Sequence, residues 1–334
     1  MNSKERLFNN INGVKTDRQA CICPGGMMNM IITGLMEESK VYLPAAHSDA
    51  RMMADLAKQA YLSGCFENIG VPFCMTVEAE EMGAIVNMGS DIIEPHVSQY
   101  VIDTVSDYKK LDNKKYRSDV VVDAIKILKA EMPEVAIVGN LTGPVSTAAS
   151  VIEPTIFYKE LRKKNADAHA FMNEVTDRLI EFGLRQIEAG ADIIAISDPS
   201  GTGEILGPRY FEEFTVKYLN NLIKPLKEAG AKVIVHICGQ MRGVYPQADM
   251  IESDVLSFDA IVPIREARQA LPDRVLMGNI STYTLEFGTP DTIKTQTTFA
   301  ADNGFDIISP ACGLGMRSPL ENVRAMLATL RERE

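Results

Sequence analysis

Two short motifs carry the side chains with the most chemical potential in this chain: Val235-His236-Ile-Cys238-Gly239 and Pro310-Ala-Cys312-Gly313. Each ends an apolar run of the kind that forms a strand buried on both faces. Alternation along the first run puts His236 and Cys238 on one face, about 7 Å apart at ~3.3 Å per residue. Cys312 occupies the matching place after the second run. One imidazole and two thiols brought together make a Cys2His set, which suits zinc and leaves a fourth position open. An open position is the catalytic arrangement, not the structural one. There is no fourth Cys for an iron–sulfur cluster. The plain alternative is that all three are core residues, since Cys and strand His are often buried. The third ligand at the same level of the fold is what favours a metal.

The chemistry of such a set is directional. Two thiolates place charge on the metal and make it a weak activator of water, so hydrolysis is the less natural use. A substrate thiol remains a good ligand and is deprotonated on binding. A free thiol of pKa ~8.5 is about 3% thiolate at pH 7, so complete ionisation is worth about 2 kcal/mol. Attack of that sulfur on an alkyl group follows as the expected reaction. Around the set stand further candidates. Asp198, in Ser197-Asp198-Pro199, could orient His236 or contact substrate, or simply cap a turn. Asp259 could supply a fourth metal ligand, Asn279 a polar contact to substrate, and Cys74 a cavity wall without ligation. Glu80 and Glu81 read as solvated or capping residues of a helix. Cys21 and Cys23 read as small core residues, and His47, His96 and His169 as mostly surface.

These residues need a scaffold that brings distant strand ends together. A junction recurs along the chain: helix, Gly, one or two polar residues, then an apolar strand. It occurs at Glu188-Ala-Gly-Ala-Asp192, at Glu228-Ala-Gly-Ala-Lys232 and at Ala301-Asp-Asn-Gly304, with an earlier relative at Tyr61-Leu-Ser-Gly64. Between the junctions lie helical faces such as Met52, Met53, Leu56 and Ala60, after a possible Ser48 cap, and Phe171, Val175, Leu179 and Phe182. Ser318-Pro-Leu-Glu321 reads as a capping box, and Pro225 should end or kink the helix that starts near Pro208. Strands are expected at 19–23, 67–71, 135–139, 191–196, 232–237, 254–258, 274–278 and 305–309. Eight strands alternating with helices point to a (β/α)8 TIM barrel, an α/β fold, over residues 1–334 as one domain, with a doubly wound open sheet as runner-up. Residues 85–118 lack clear periodicity and should form an excursion over the barrel mouth.

Composition narrows the function further. The chain has 334 residues, 46% of them apolar and 24% charged, which suits a folded protein with a large core. Asp and Glu outnumber Lys and Arg by 45 to 34, a net charge of −11 that argues against nucleic acid as a partner. No apolar run is long enough to span a membrane, and Met1 to Gly13 carries no apolar signal core. Six Cys without such a signal suggest a reducing, cytoplasmic setting.

The motifs resemble a known family. Val235-His-Ile-Cys238-Gly, Gly278-Asn-Ile-Ser281 and Pro310-Ala-Cys312-Gly are similar to the methylcobamide:coenzyme M methyltransferases of the uroporphyrinogen decarboxylase superfamily. So are Val71-Pro-Phe-Cys-Met-Thr-Val77, Ile137-Val-Gly-Asn-Leu-Thr-Gly-Pro144, Ile196-Ser-Asp-Pro199 and Ser318-Pro-Leu-Glu-Asn-Val323. The resemblance implies a barrel whose zinc, held by His236, Cys238 and Cys312, binds an acceptor thiol such as coenzyme M. The methyl group would come from methylcobalamin carried by a separate corrinoid protein that docks transiently. Tetrahydrofolate is the alternative acceptor. Tetrapyrrole decarboxylation is disfavoured: the decarboxylase pattern has Asp where this chain has Cys74 and His where it has Cys312, and Cys21 to Met28 contains no Arg. Arg209 and Arg317 are candidates for a sulfonate, and Met27-Met28-Asn29-Met30 for a soft rim against a corrin ring. A non-enzymatic zinc- or corrinoid-binding protein is the reading from a different class.

Overall fold

The computed structural model describes residues 1–334 and contains eight parallel strands in one sheet. They are β1 (Ala20–Cys21), β2 (Asn68–Val71), β3 (Ala136–Thr142), β4 (Ile193–Ser197), β5 (Lys232–Ile237), β6 (Val255–Phe258), β7 (Val275–Ile280) and β8 (Ile307–Pro310). Pairing runs in chain order from β2 to β8, and β8 then pairs with β1. The strands are short, apolar and buried on both faces, as a parallel sheet covered by helices requires. The sheet is a TIM barrel of the kind expected, and the open-sheet alternative falls because β1 is brought beside β8.

The seam between β1 and β2 closes by local chemistry. Glu67 N–H donates to the Cys21 carbonyl at 2.8 Å. The Asn68 side-chain amide then acts as a surrogate strand residue: it accepts from Cys23 N–H at 3.0 Å and donates to the Cys23 carbonyl at 2.8 Å. Gly70 is required at this seam, because a Cβ there would lie 1.9 Å from the Pro24 carbonyl oxygen.

The helical faces read from periodicity are the buried ones: Met53, Leu56 and Ala60 in Ala50–Leu62, and Phe171, Val175, Leu179 and Phe182 in Asn165–Ala189. The latter helix ends on Gly190 at φ 115°, the left-handed position that its junction motif implies. Three local expectations need correction. The cap of Ala50–Leu62 is Asp49, not Ser48; its carboxylate accepts from Met52 N–H at 2.8 Å. Ser318 does not cap the last helix, which starts at Leu320 after Pro319, and its hydroxyl has no partner. Pro225 neither ends nor kinks its helix, which runs through to Glu228; the break lies upstream, at Gly207 (φ 70°). Pro225 sits in the last turn, where one missing hydrogen bond is tolerated.

Residues 85–118 leave the barrel after β2. They form an antiparallel hairpin of Ile85–Asn87 with His96–Gln99, then a short 3-10 turn at Val105–Lys110. The hairpin tip turns back toward the barrel, where the Asn29 amide reaches the Glu94 carboxylate at 3.4 Å. No helix is long and apolar enough to cross a membrane.

Candidate metal centre

β5 and β8 deliver their motifs to the same end of the barrel. The ligand atoms of His236, Cys238 and Cys312 all lie within 4.8 Å of one another. His236 Nε2 is 3.3 Å from the Cys238 sulfur. A tetrahedral ion with bonds of about 2.0 Å to nitrogen and 2.3 Å to sulfur has ligand–ligand edges of roughly 3.5 to 3.8 Å, so the three atoms fit one face of such a site. His236 is buried, and both cysteines keep partial access from the mouth.

The two thiols share a hydrogen bond, and this dominates their acidity. Cys312 is held below the ordinary thiol range by the hydrogen bond from Cys238, against the opposing effect of burial, with help from His236. Cys238 is pushed up by the same hydrogen bond and by burial. The pair therefore loses its first proton readily and its second with difficulty, which is how a dithiol behaves before a cation replaces the shared proton.

Asp198 does not orient His236. That side chain is fully buried, accepting from Ser146 N–H at 2.8 Å, Ser146 Oγ at 2.6 Å and Val145 N–H at 3.2 Å. It caps the helix that follows β3, and burial, partly offset by these bonds, pushes it up to about 6. The group that orients the imidazole is Ser257, whose Oγ lies 2.9 Å from Nδ1. For Nε2 to present a lone pair to a metal, Nδ1–H must donate to that hydroxyl. Strand register could have revealed it, because His236 and Ser257 are paired neighbours on β5 and β6. Ser257→Ala is expected to weaken metal binding about 10- to 100-fold without unfolding the barrel, measured by chelator competition.

The remaining candidates are placed as follows. Asp259 lies outside the three-residue cluster; its carboxylate accepts from Gly239 N–H at 3.4 Å and Ile261 N–H at 3.1 Å. Asn279 donates to the Asp259 carbonyl at 2.8 Å and the Val262 carbonyl at 3.0 Å, so it fixes the loop that carries Asp259. Cys74 is buried with Arg117 Nη1 3.5 Å from its sulfur. Arg117 is itself buried, donating to Thr76 at 2.7 Å and to Glu80 at 2.5 Å, so Glu80 is not simply a solvated residue. Cys21 and Cys23 are buried core residues, as expected. His96 is exposed, while His169 is half-buried, 2.8 Å from the Tyr218 hydroxyl. His47 is not on the surface: it is 1% exposed, beside Phe73.

Glu78, missed by the sequence reading, is fully enclosed and accepts from Thr142 N–H at 2.7 Å and Thr142 Oγ1 at 3.0 Å. Burial pushes its carboxyl up to about 7. The folded state therefore favours its protonated form. The resulting cost is absent below the ordinary pKa near 4.5, grows between there and 7, and is complete above 7. Glu78→Gln is expected to gain stability on the order of 3 kcal/mol relative to the parent at pH 8, and nothing at pH 4. Urea unfolding at the two pH values checks the sign.

With that geometry in place, the relatives can be compared. The uroporphyrinogen decarboxylase (URO-D) family model matches residues 2–333. The methylcobamide:CoM methyltransferase MtaA of Methanosarcina barkeri is 32% identical over 310 residues, 89% of each chain. The chain belongs to the methylcobamide:CoM methyltransferases of the URO-D family. MtbA of Methanosarcina acetivorans is 28% identical, covering 97% of this chain and 96% of its own. A solved methyltransferase from Methanosarcina mazei superposes at a TM-score of 0.91, with 28% identity over 99% of both chains. Decarboxylases of the family match less of the chain: that of Myxococcus xanthus is 32% identical over 48% of it. The methyltransferase branch thus accounts for the whole barrel.

Proposed function

We propose that this chain, as one barrel over residues 1–334, transfers a methyl group from a methyl-Co(III) corrinoid on a separate protein to a small thiol. Zinc would be held by His236, Cys238 and Cys312. The observation that carries this is the meeting of three soft donors within 4.8 Å at one barrel end, in a chain whose full-length relatives are methylcobamide:CoM methyltransferases. Zinc, when bound, supplies the charge that keeps an acceptor sulfur ionised at neutral pH. The chain's own groups do the rest. Ser257 fixes the imidazole tautomer, Asn279 and Gly239 hold the Asp259 loop beside the centre, and the hairpin tip at Glu94 meets Asn29 in the loop after β1. The acceptor would release its thiol proton to solvent before attack; its sulfur would then bond to the methyl carbon as the cobalt–carbon bond breaks, with that bond's electron pair left on the corrinoid.

Asp259 is the candidate fourth ligand, held next to Cys238 by the hydrogen bond it accepts from Gly239 N–H. Coenzyme M is the acceptor named for the relatives, and tetrahydrofolate is the alternative. The corrinoid protein would dock transiently on the hairpin and on the loops after β1, β2 and β4. All six cysteines are free, which supports a reducing compartment, the cytoplasm.

X-ray absorption at the zinc edge tests the reading. Addition of an acceptor thiol should add one sulfur to the coordination shell, and tetrahydrofolate none. Methylation of a thiol by free methylcobalamin should be lost on chelation and restored by zinc. Absence of turnover with every acceptor would favour a binding protein over an enzyme.

A further inference from the structure

The segment Met27-Met28-Asn29-Met30 does not form a row of soft side chains around the mouth. Met28 and Met30 are buried, and Met27 alone of the three methionines keeps partial access. The segment belongs to the loop after β1, which is fastened on several sides. The Cys23 thiol donates to the Met28 carbonyl at 3.0 Å, and Gly26 N–H donates to the Pro72 carbonyl at 2.8 Å. The Asn29 carbonyl accepts from Leu314 N–H at 2.9 Å. Gly313, next to Cys312, has no room for a side chain, since a Cβ there would lie 2.5 Å from the Met27 carbonyl oxygen. The loop therefore braces the turn that carries Cys312.

The Met28 side chain reaches the other half of the centre. Its sulfur lies 3.9 Å from Ser257 Oγ, a long contact that suits a large, weak thioether acceptor. Ser257 is fully buried, and its hydroxyl has two side-chain partners, His236 Nδ1 at 2.9 Å and this sulfur. A hydroxyl has one proton to give. When that proton points at the sulfur, the oxygen turns a lone pair to Nδ1, the ring carries its proton there, and Nε2 keeps the lone pair that a metal requires. When the proton points at Nδ1 instead, the neutral ring is protonated on Nε2 and the metal position is blocked. The sulfur gives the first arrangement a hydrogen bond that the second lacks.

We propose that Met28 is a positioning residue of the metal centre: its thioether takes the Ser257 proton and so holds His236 in the tautomer that binds zinc. The proposal rests on the zinc reading of the site and extends the chain of contacts behind the imidazole by one residue. It also gives one loop two tasks, bracing the Cys312 turn through its backbone and the His236 ring through a side chain.

Met28→Leu removes the acceptor at nearly constant volume, a change that packed cores tolerate. Zinc affinity is measured by chelator competition in the wild type, Met28→Leu, Ser257→Ala and the double variant, with thermal unfolding of each. One net hydrogen bond corresponds to about two- to tenfold in affinity, so Met28→Leu should bind zinc more weakly by that factor. In the Ser257→Ala background the same substitution should have no effect, because the hydroxyl it acts through is gone. Proton NMR of the zinc-loaded proteins gives the second readout. The His236 Nδ1–H signal should move upfield in Met28→Leu, as the oxygen it donates to is no longer polarised by its own hydrogen bond. A role in packing alone would weaken zinc binding equally in both backgrounds and leave that signal in place. Equal losses in the two backgrounds, or wild-type affinity in Met28→Leu, overturn the proposal and leave the metal centre standing. A wild-type protein that binds no zinc overturns the zinc reading, and the proposal with it.

Discussion

In a Cys312→Ala protein, bound zinc is expected to fall from about one atom per chain to near zero, with methyl transfer to any thiol falling in step. The size follows from the ligand count. Metal binding by sites of this type is worth roughly 10–16 kcal/mol, and one of three protein ligands supplies about a third of it, or 3–5 kcal/mol. That is a loss of about 10²- to 10⁴-fold in affinity, enough to empty the site at ordinary zinc concentrations. Cys238→Ala should behave alike, because either change leaves one thiol and one imidazole. Cys65→Ala is the control: Cys65 is a free thiol too, but it is buried and belongs to no ligand cluster, so zinc content should stay unchanged. Elemental analysis and the methylcobalamin assay give the two readouts. Full zinc content in Cys312→Ala, or full activity without it, would remove the metal centre from the mechanism.

The parts of this centre that were legible in the sequence are those set by strand alternation and barrel topology. His236 and Cys238 sit two residues apart on one strand, and Cys312 ends another, so a barrel had to bring them to one rim. What stayed hidden depends on register and on long loops. Ser257 became visible as the partner of His236 only through the pairing of β5 with β6. Asp198 has the residue type of an imidazole orienter, yet the nearby helix start at Val145 and Ser146 claims it. Glu94 lies in a segment without periodicity, so nothing in its spacing could place it against Asn29 at the barrel mouth. His47 reads as a surface residue because Ser48 and Asp49 follow it, whereas the fold buries it beside the ring of Phe73. The ends of helices were misjudged for a similar reason: Asp49 and Ser48 are both good caps, and the backbone entry angle chooses between them.

The opposite barrel end should respond to mutation in a different way. Glu67, just before β2, is enclosed between two arginines: Arg6 Nη1 lies 2.7 Å from Oε1 and Arg18 Nη1 2.8 Å from Oε2. It also accepts from Cys21 N–H at 2.9 Å, which ties the charge cluster to the β1–β2 seam. The three side chains are at most 5% exposed. Removing the carboxylate leaves two desolvated cations facing each other, a loss of about 3–5 kcal/mol for a broken buried pair. The lower end applies here, because Asp17 still engages Arg6 at 2.7 Å and Glu334 engages Arg18 at 2.7 Å. For a chain of this size, Glu67→Gln should lower the unfolding midpoint by roughly 5 °C. Zinc content and turnover at 25 °C should be retained, since chemistry in this fold belongs to the carboxyl ends of the strands and stability to the amino ends. Calorimetric unfolding, with zinc content measured on the same sample, separates the two effects. An unchanged midpoint with a depleted metal centre would mean that the two ends of the barrel are coupled, against the division of labour argued here.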